Sequence, residues 1–229
     1  MIAEIEAMAR GFYGYGRWDA PYWFIGPEQG GDNNEIRGKA FLKLEKDGLC
    51  DCEEFHKEIR EFKWHRESPA LQPTWRRLIL LLKAFRNDFS TEELSDEETL
   101  RGSLRDYQRD YWGMNDAETC VIELSGLSAK NAKTGATYEP IKEKYLKERI
   151  GTIHTKIHRQ EFKPKIVIMY GFGEKEHWPK IAGVPFVRHL VEKRGPTTFA
   201  FAEHPSARYQ EDSYWVELGK RLRKESERP

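Results

Sequence analysis

The sequence has few cysteines, no long apolar run and no excess charge of either sign. Its three cysteines, Cys50, Cys52 and Cys120, cannot form a paired disulfide framework. The longest purely aliphatic stretch, residues 78–82, is far shorter than the roughly 18 or more residues that span a bilayer, so no membrane association is expected. Basic and acidic residues balance at 38 each, which restricts any nucleic-acid surface to a local patch.

The length and the N-terminal residues set further expectations. A chain of 229 residues suits one domain over 1–229 and can bury a core without a structural metal. Residues 1–6 lack the charged and apolar regions of a signal peptide. We therefore expect a reduced, cytoplasmic protein, and we expect it to be a monomer.

Four apolar segments predict β-strands, with helical patterns between them. The strands are expected at about 21–26, 119–124, 165–170 and 197–202, and the helices at about 36–64, 74–87, 139–161, 173–182 and 208–225. This alternation predicts an α/β fold, a three-layer αβα sandwich around a central, mainly parallel four-stranded sheet. Residues 90–116 are expected to be the least regular connection.

Two polar loops directly follow predicted strands. The first is the glycine-rich segment 26–32, which carries two carboxylates and an amide, and the second is the segment 203–206. Ligands of open parallel sheets bind beyond the carboxyl ends of the strands, and glycines let the backbone approach a ligand closely. The two loops are therefore predicted to form one site.

The motifs G-P-E-Q-G at 26–30 and H-P-S at 204–206 resemble the first and last motifs of the uracil-DNA glycosylase superfamily. The first motif of that superfamily has forms such as G-E-A-P-G, and Gln29 stands where most of its families have proline. Phe41, 13 residues after Glu28, corresponds to the aromatic residue that stacks on the extruded base. The resemblance covers about residues 20–220 and implies a DNA partner and no cofactor.

The resemblance also implies catalytic roles. Glu28 lies at the motif position that orients or activates water, and Asp32 is the alternative carboxylate. The competing interpretation is that both carboxylates only cap the following helix. His204 corresponds to the histidine that hydrogen-bonds the pyrimidine O2 and stabilises the departing base.

Base recognition is predicted to depart from the uracil-specific pattern. Uracil-reading members carry an asparagine where this chain has Glu123, Leu124 and Ser125. A glutamate acceptor suits the N4 amine of cytosine and repels O4 of uracil, unless Asn131 supplies an amide or Glu123 pairs with a lysine or arginine. The candidate base-binding residues are Gln29, Phe41, Glu123, Ser125 and Asn131.

DNA contacts are expected on the same face. Ser206 is predicted to contact a phosphate, and Arg208 or Tyr209 occupies the position of the residue that fills the gap left by an extruded base. Further positive or aromatic candidates for phosphate contact are Arg37, Lys39, Lys130, Lys133, Tyr138, Arg188 and Arg194.

No metal is expected. Three cysteines exclude the four-cysteine iron–sulfur cluster of some superfamily members. The set Cys50, Cys52, His56 and His65 has the right donor atoms for zinc, but its spacing matches no common zinc pattern.

The sequence thus predicts a monofunctional DNA glycosylase that leaves an abasic site, with a modified cytosine favoured over uracil. Removal of bulky modified bases from phage DNA, as a defence, is a setting consistent with this preference. The alternatives are a non-catalytic binder of nucleic acid or nucleotide with the same fold, and a hydrolase of free nucleosides or nucleotides.

Overall fold

A computed structural model describes residues 2–129, 132–159 and 161–228. The helices are α1 (Ile2–Gly11), α2 (Asn34–Leu44), α3 (Cys52–Glu58), α4 (Pro73–Arg86), α5 (Thr91–Ser95), α6 (Glu97–Asp110), α7 (Ala132–His158), α8 (Trp178–Ala182) and α9 (Asp212–Ser226). The strands are β1 (Gly14–Tyr15), β2 (Tyr22–Gly26), β3 (Leu49–Cys50), β4 (Thr119–Glu123), β5 (Ile166–Tyr170), β6 (Val191–Arg194) and β7 (Thr197–Ala202). Short 3-10 turns cover Phe62–Trp64 and Phe172–Glu174.

The described strands form one sheet in the order β3-β1-β4-β2-β5-β7-β6. Neighbours within β4-β2-β5-β7 pair in parallel, whereas β1 is antiparallel to β4 and β6 is antiparallel to β7. The predicted mainly parallel sheet is confirmed, and its four central strands lie where the sequence places them. The sheet has seven strands rather than four, because the three short strands of two to four residues are too brief to show a two-residue period.

Both faces of the sheet are buried, which confirms the three-layer architecture. Successive side chains of a strand point to opposite faces. Along β2, Phe24 packs into one apolar cluster while Trp23 and Ile25 pack into the other. The first cluster is completed by α1, α2, α3, α4, α6 and α9, and the second by α7 and α8.

The single helix predicted over 36–64 is wrong. Helix α2 ends at Leu44, the chain turns through Asp47 and Gly48, both with positive φ, and α3 begins only at Cys52. A Cβ at Gly48 would lie 2.7 Å from Cδ2 of Tyr13, so the turn requires glycine. The charged residues of this segment mimic a helical period without forming one helix.

The segment 90–116 is more regular than predicted, because it contains α5 and α6. Ser90 and Glu93 form a reciprocal capping box at the start of α5, and Asp96 accepts a hydrogen bond from the backbone of Thr99 at 2.7 Å to cap α6. Helix α1 also lies outside the predicted helices. Within the described ranges, no helix combines the length and apolar character needed to cross a membrane.

Candidate functional site

A cavity of about 710 Å³ opens at the carboxyl ends of the central strands. Gly26, Glu123 and Tyr170 end β2, β4 and β5, and the loop after β7 reaches the same place. The cavity is lined by six of the predicted site residues, Glu28, Gln29, Asp32, Glu123, His204 and Ser206. The structure therefore brings the two polar loops together.

The backbone of Gly26, at the start of the first loop, packs directly against the side chain of Tyr170. A Cβ at Gly26 would overlap the hydroxyl and ring of Tyr170, which lines the cavity from β5. Gly26 thus leaves room for the phenol ring beneath the loop. Any larger residue there would displace a wall of the cavity.

The amide of Gln29 is oriented by two buried donors. The hydroxyl of Tyr15 donates to Gln29 Oε1 at 2.9 Å, and Arg37 Nη1 donates to the same oxygen at 2.6 Å. Burial raises the pKa of Tyr15, so its phenol keeps the proton it donates. Gln29 Nε2 has no hydrogen-bond partner among the described residues, so the amide group presents unused donors beside the cavity.

The buried side chain of Arg37 holds the first loop in place through hydrogen bonds. Its side chain is only 2% exposed, and its guanidinium donates to the carbonyl oxygen of Asp32 at 3.2 Å and to both carboxylate oxygens of Glu61 at 3.0 Å. The expectation that Arg37 contacts phosphate is wrong, because its donors are used inside the protein. Its role is to fix Gln29 and the loop backbone.

The two carboxylates of the first loop line the cavity, and neither belongs to the N-cap residue of α2. The N-cap residue is Asn33, which adopts a left-handed conformation and accepts from Ile36 N at 3.4 Å. Glu28 forms an ion pair with Lys142 of α7, and Asp32 lies at the exposed rim. The structure therefore assigns the helix cap to a different residue and leaves both acids in the cavity wall.

Glu123 is a buried acid at the end of β4. Burial, strengthened by the nearby negative charge of Glu28, raises the pKa of Glu123 to about 8. Its Oε2 has no hydrogen-bond partner among the described residues. At neutral pH this side chain is therefore largely a carboxylic acid, which both donates and accepts a hydrogen bond.

Arg149 of α7 holds the end of β4 in place. In its buried guanidinium, Nη2 donates to the carbonyl oxygens of Glu123 at 2.8 Å and Phe12 at 2.7 Å, and Nε donates to Leu124 O at 2.7 Å. Burial lowers the pKa of Arg149 to about 10. The guanidinium thus binds main-chain oxygens and does not form the side-chain ion pair considered for Glu123.

His204 is oriented by its own loop. The backbone N–H of Ser206 donates to His204 Nδ1 at 3.2 Å, and Ser206 Oγ lies 2.7 Å from the same nitrogen. Burial lowers the pKa of His204, which favours the neutral ring. Because Nδ1 accepts, the hydrogen-bond network places the proton on Nε2, which is then a donor.

Arg77 of α4 anchors the rest of the second loop. It donates to the carbonyl oxygens of Pro205, Ala207 and Gln210. Arg208 and Tyr209 lie on this loop outside the cavity lining, and Tyr209 is 68% exposed while donating to Glu203 at 2.7 Å. Both side chains stand at the surface beside the cavity.

Two predicted base-binding residues do not line the cavity. Phe41 is 4% exposed and packs in the core edge-to-face against Phe12, with ring centroids 5.7 Å apart, so its position does not suit stacking on a base. Ser125 lines a second cavity of about 510 Å³, which Glu28 also lines. Its hydroxyl donates a hydrogen bond to Leu127 O within the same turn. Asn131 lies outside the described residues, as does Lys130.

Comparison with known proteins adds no identification. No protein-family model matches the chain, and no curated protein matches it.

Several cavity residues were not predicted. The aromatic lining consists of Tyr15, Trp64, Trp75 and Tyr170. Tyr170 ends a predicted strand, so the reasoning that selected the two polar loops applies equally to it. Tyr15, by contrast, lies in a two-residue strand, and no local pattern places it near Gln29.

Proposed function

We propose that this chain is a monofunctional DNA glycosylase of the uracil-DNA glycosylase type, which hydrolyses the N-glycosidic bond of a modified pyrimidine and leaves an abasic site. The observation that carries the proposal is the convergence on one cavity of Glu28 and Asp32 from the first loop and His204 from the second. The cavity volume lies within the range of about 300–1,000 Å³ typical of small-molecule sites.

The reaction needs negative charge near the sugar and a donor near the departing base. Water attacks C1′ as the bond to the base nitrogen breaks, and the base leaves with the electron pair. In this proposal Glu28, or Asp32 as the alternative, orients the water and accepts its proton. His204 Nε2–H donates to the pyrimidine O2, where negative charge develops as the base departs.

Base recognition is assigned to Glu123 and Gln29. A neutral Glu123 donates to N3 of cytosine and accepts from the N4 amine, which are adjacent on one edge of the base. The same neutral carboxyl also pairs with N3–H and O4 of uracil, so the charge repulsion inferred from sequence does not by itself reject uracil near neutral pH. The preference for a modified cytosine then rests on the space and the unused Gln29 donors beside the base.

The aromatic lining replaces the stacking role expected of Phe41. Tyr15, Trp64, Trp75 and Tyr170 line the cavity. An extruded base gains about 1–3 kcal/mol from stacking on one such ring. We assign stacking to this group of rings.

DNA binding is assigned to the surface beside the cavity. Ser206 and Arg208 are exposed there as phosphate contacts, and Tyr209 is the ring available to fill the gap in the stack.

Each neutralised phosphate contributes about −0.9 to the slope of log K against log salt on duplex DNA. Binding to an abasic-site analogue should therefore weaken steeply with salt, and Arg208→Ala should flatten the slope relative to the exposed control Arg101→Ala. A flat salt response of the wild type would contradict the DNA proposal.

The test is an abasic-site assay on matched DNAs that carry cytosine, uracil, hydroxymethylcytosine or glucosylated hydroxymethylcytosine at one position. Alkali then cleaves any abasic strand. Breaks with the modified cytosines alone support the proposal in full, and breaks with uracil support the glycosylase but overturn the base preference. Binding without breaks in any DNA favours the non-catalytic binder, and release of base from free nucleosides without DNA dependence favours the nucleoside hydrolase.

A further inference from the structure

A buried cluster of three side chains lies behind one wall of the cavity. Cys52, His56 and His65 are each at most 4% exposed. Cys52 Sγ lies 3.5 Å from His56 Nδ1 and 3.9 Å from His65 Nε2, and the two ring nitrogens are 3.2 Å apart. The three atoms lie close enough together to share one metal ion. His56 Nδ1 also lies 2.7 Å from the carbonyl oxygen of Cys52, so metal binding would replace that hydrogen bond.

The local fold explains how these residues meet. Cys52 opens α3 and His56 follows four residues later, so both side chains lie on the same face of the helix. The chain then reverses at Arg60, which has a positive φ of 63°, and the 3-10 turn Phe62–Trp64 returns it so that His65 faces the helix. The cluster is thus assembled within one short segment, 52–65.

We propose that Cys52, His56 and His65 bind a single Zn²⁺ ion. Zinc–nitrogen bonds of about 2.0–2.1 Å and zinc–sulfur bonds of about 2.3 Å place neighbouring ligands of a tetrahedral ion roughly 3.3–3.6 Å apart. The three distances in the cluster, 3.2, 3.5 and 3.9 Å, bracket this range. One thiolate and two imidazoles are also donors that zinc prefers.

The cluster differs from the four-residue set considered from sequence. Cys50 is buried two residues away but does not belong to the group of approaching ligand atoms. Nor does Asp51, whose carboxylate caps α3 through Glu53 N at 3.0 Å and accepts from Asn115 N at 2.9 Å. Three protein ligands leave a fourth position for solvent, and His56 also lines the cavity.

Zinc here would stabilise the wall that shapes the site. The segment closed by the three ligands contains Glu61, Lys63 and Trp64, which line the cavity. Glu61 in turn holds Arg37, and Arg37 holds Gln29. The ion would therefore hold this wall of the cavity in place, and this inference does not depend on the glycosylase proposal.

The experiment measures the metal content of the untagged full-length protein by mass spectrometry. We expect a single zinc per chain in the wild type and near-complete loss in Cys52→Ala and His65→Gln. The matched controls Cys50→Ala, Cys120→Ala and His158→Gln should keep the wild-type content, because these residues lie outside the cluster. Circular dichroism checks that each variant is folded.

A second measurement keeps the inference testable if the ligand variants fail to fold. Wild-type protein stripped by a chelator and refilled with Co²⁺ should show the thiolate-to-cobalt absorption band of a cysteine ligand, and so should Cys50→Ala. Stripping should lower the melting temperature of the wild type, and added zinc should restore it. Absence of metal together with no zinc uptake by folded, reduced protein would overturn the site, and uptake of copper but not zinc would overturn the assignment to zinc.

Discussion

Arg37 Nη1 donates a 2.6 Å hydrogen bond to Oε1 of Gln29, and the same guanidinium is bound on its other edge by the carboxylate of Glu61. A buried arginine on α2 thereby sets the orientation of an amide on the loop after β2. The hydroxyl of Tyr15 donates a second hydrogen bond to the same oxygen, at 2.9 Å. The polar wall of the cavity is consequently one connected network, and its stability and its function should be coupled.

Replacement of Arg37 by methionine should therefore lower the free energy of unfolding. The change leaves Gln29 Oε1 with one donor and Glu61 without its partner, and a lost buried hydrogen bond to a charged group costs about 1.5–3 kcal/mol. Glu61 is partly exposed, which reduces the penalty of its lost partner. Urea unfolding should show a loss of about 2 kcal/mol. Lys39→Met, which removes only the exposed pair with Glu35, is the control and should change stability by less than about 1 kcal/mol.

Exchange of the two loop carboxylates for amides should separate their roles. Glu28→Gln is expected to abolish base release while folding and DNA binding are retained, because an amide cannot accept the proton of the attacking water. Asp32→Asn should retain most activity. Single-turnover assays on the preferred DNA measure both, with Glu35→Gln on the same segment as the control. Full activity of Glu28→Gln together with an inactive Asp32→Asn would transfer the role to Asp32.

The buried acid Glu123 predicts a pH dependence of stability. Its folded pKa of about 8 lies above the ordinary value of 4.5, so between these values the folded state holds a proton that the unfolded state releases. Stability should therefore fall with rising pH across this window, by at most about 1.4 kcal/mol per pH unit from this group.

Glu123→Gln should remove this contribution, because an amide does not titrate. The stability of the variant relative to wild type should rise steadily from about pH 4.5 to pH 8, as measured by urea unfolding at several pH values. The exposed Glu148→Gln serves as the control and should leave the pH profile unchanged. A constant difference between Glu123→Gln and wild type would contradict a raised pKa.

His204 should affect the chemical step more than binding. Loss of a donor to the developing anion typically costs about 10²–10³ in kcat. His204→Ala is therefore expected to lower single-turnover base release by that factor with little change in DNA affinity. Ser206→Ala should have a smaller effect, because the backbone N–H of residue 206 still holds Nδ1. His189→Ala, at a histidine that does not line the cavity, is the control.

The four central strands and the two polar loops were predictable because their signals are local. A run such as Ile166–Tyr170 is apolar throughout since both faces of a central parallel strand are covered, and a glycine-rich or proline-containing loop follows directly in the sequence. The capping box of Ser90 and Glu93 is also a local signal, and it could have predicted the start of α5, although residues 90–116 were expected to be irregular.

Tertiary structure decided which further residues complete the site and which predicted residues do not belong to it. The sequence determined that strands would end in loops with Glu28, Gln29 and His204, because neighbouring residues encode strand and turn. Only the packing of α2 against α1 and α3 buried Phe41 and turned Arg37 inward, and only the reversal at Arg60 brought His65 to Cys52. These arrangements depend on contacts between residues distant in sequence or across irregular turns, for which no periodic pattern exists.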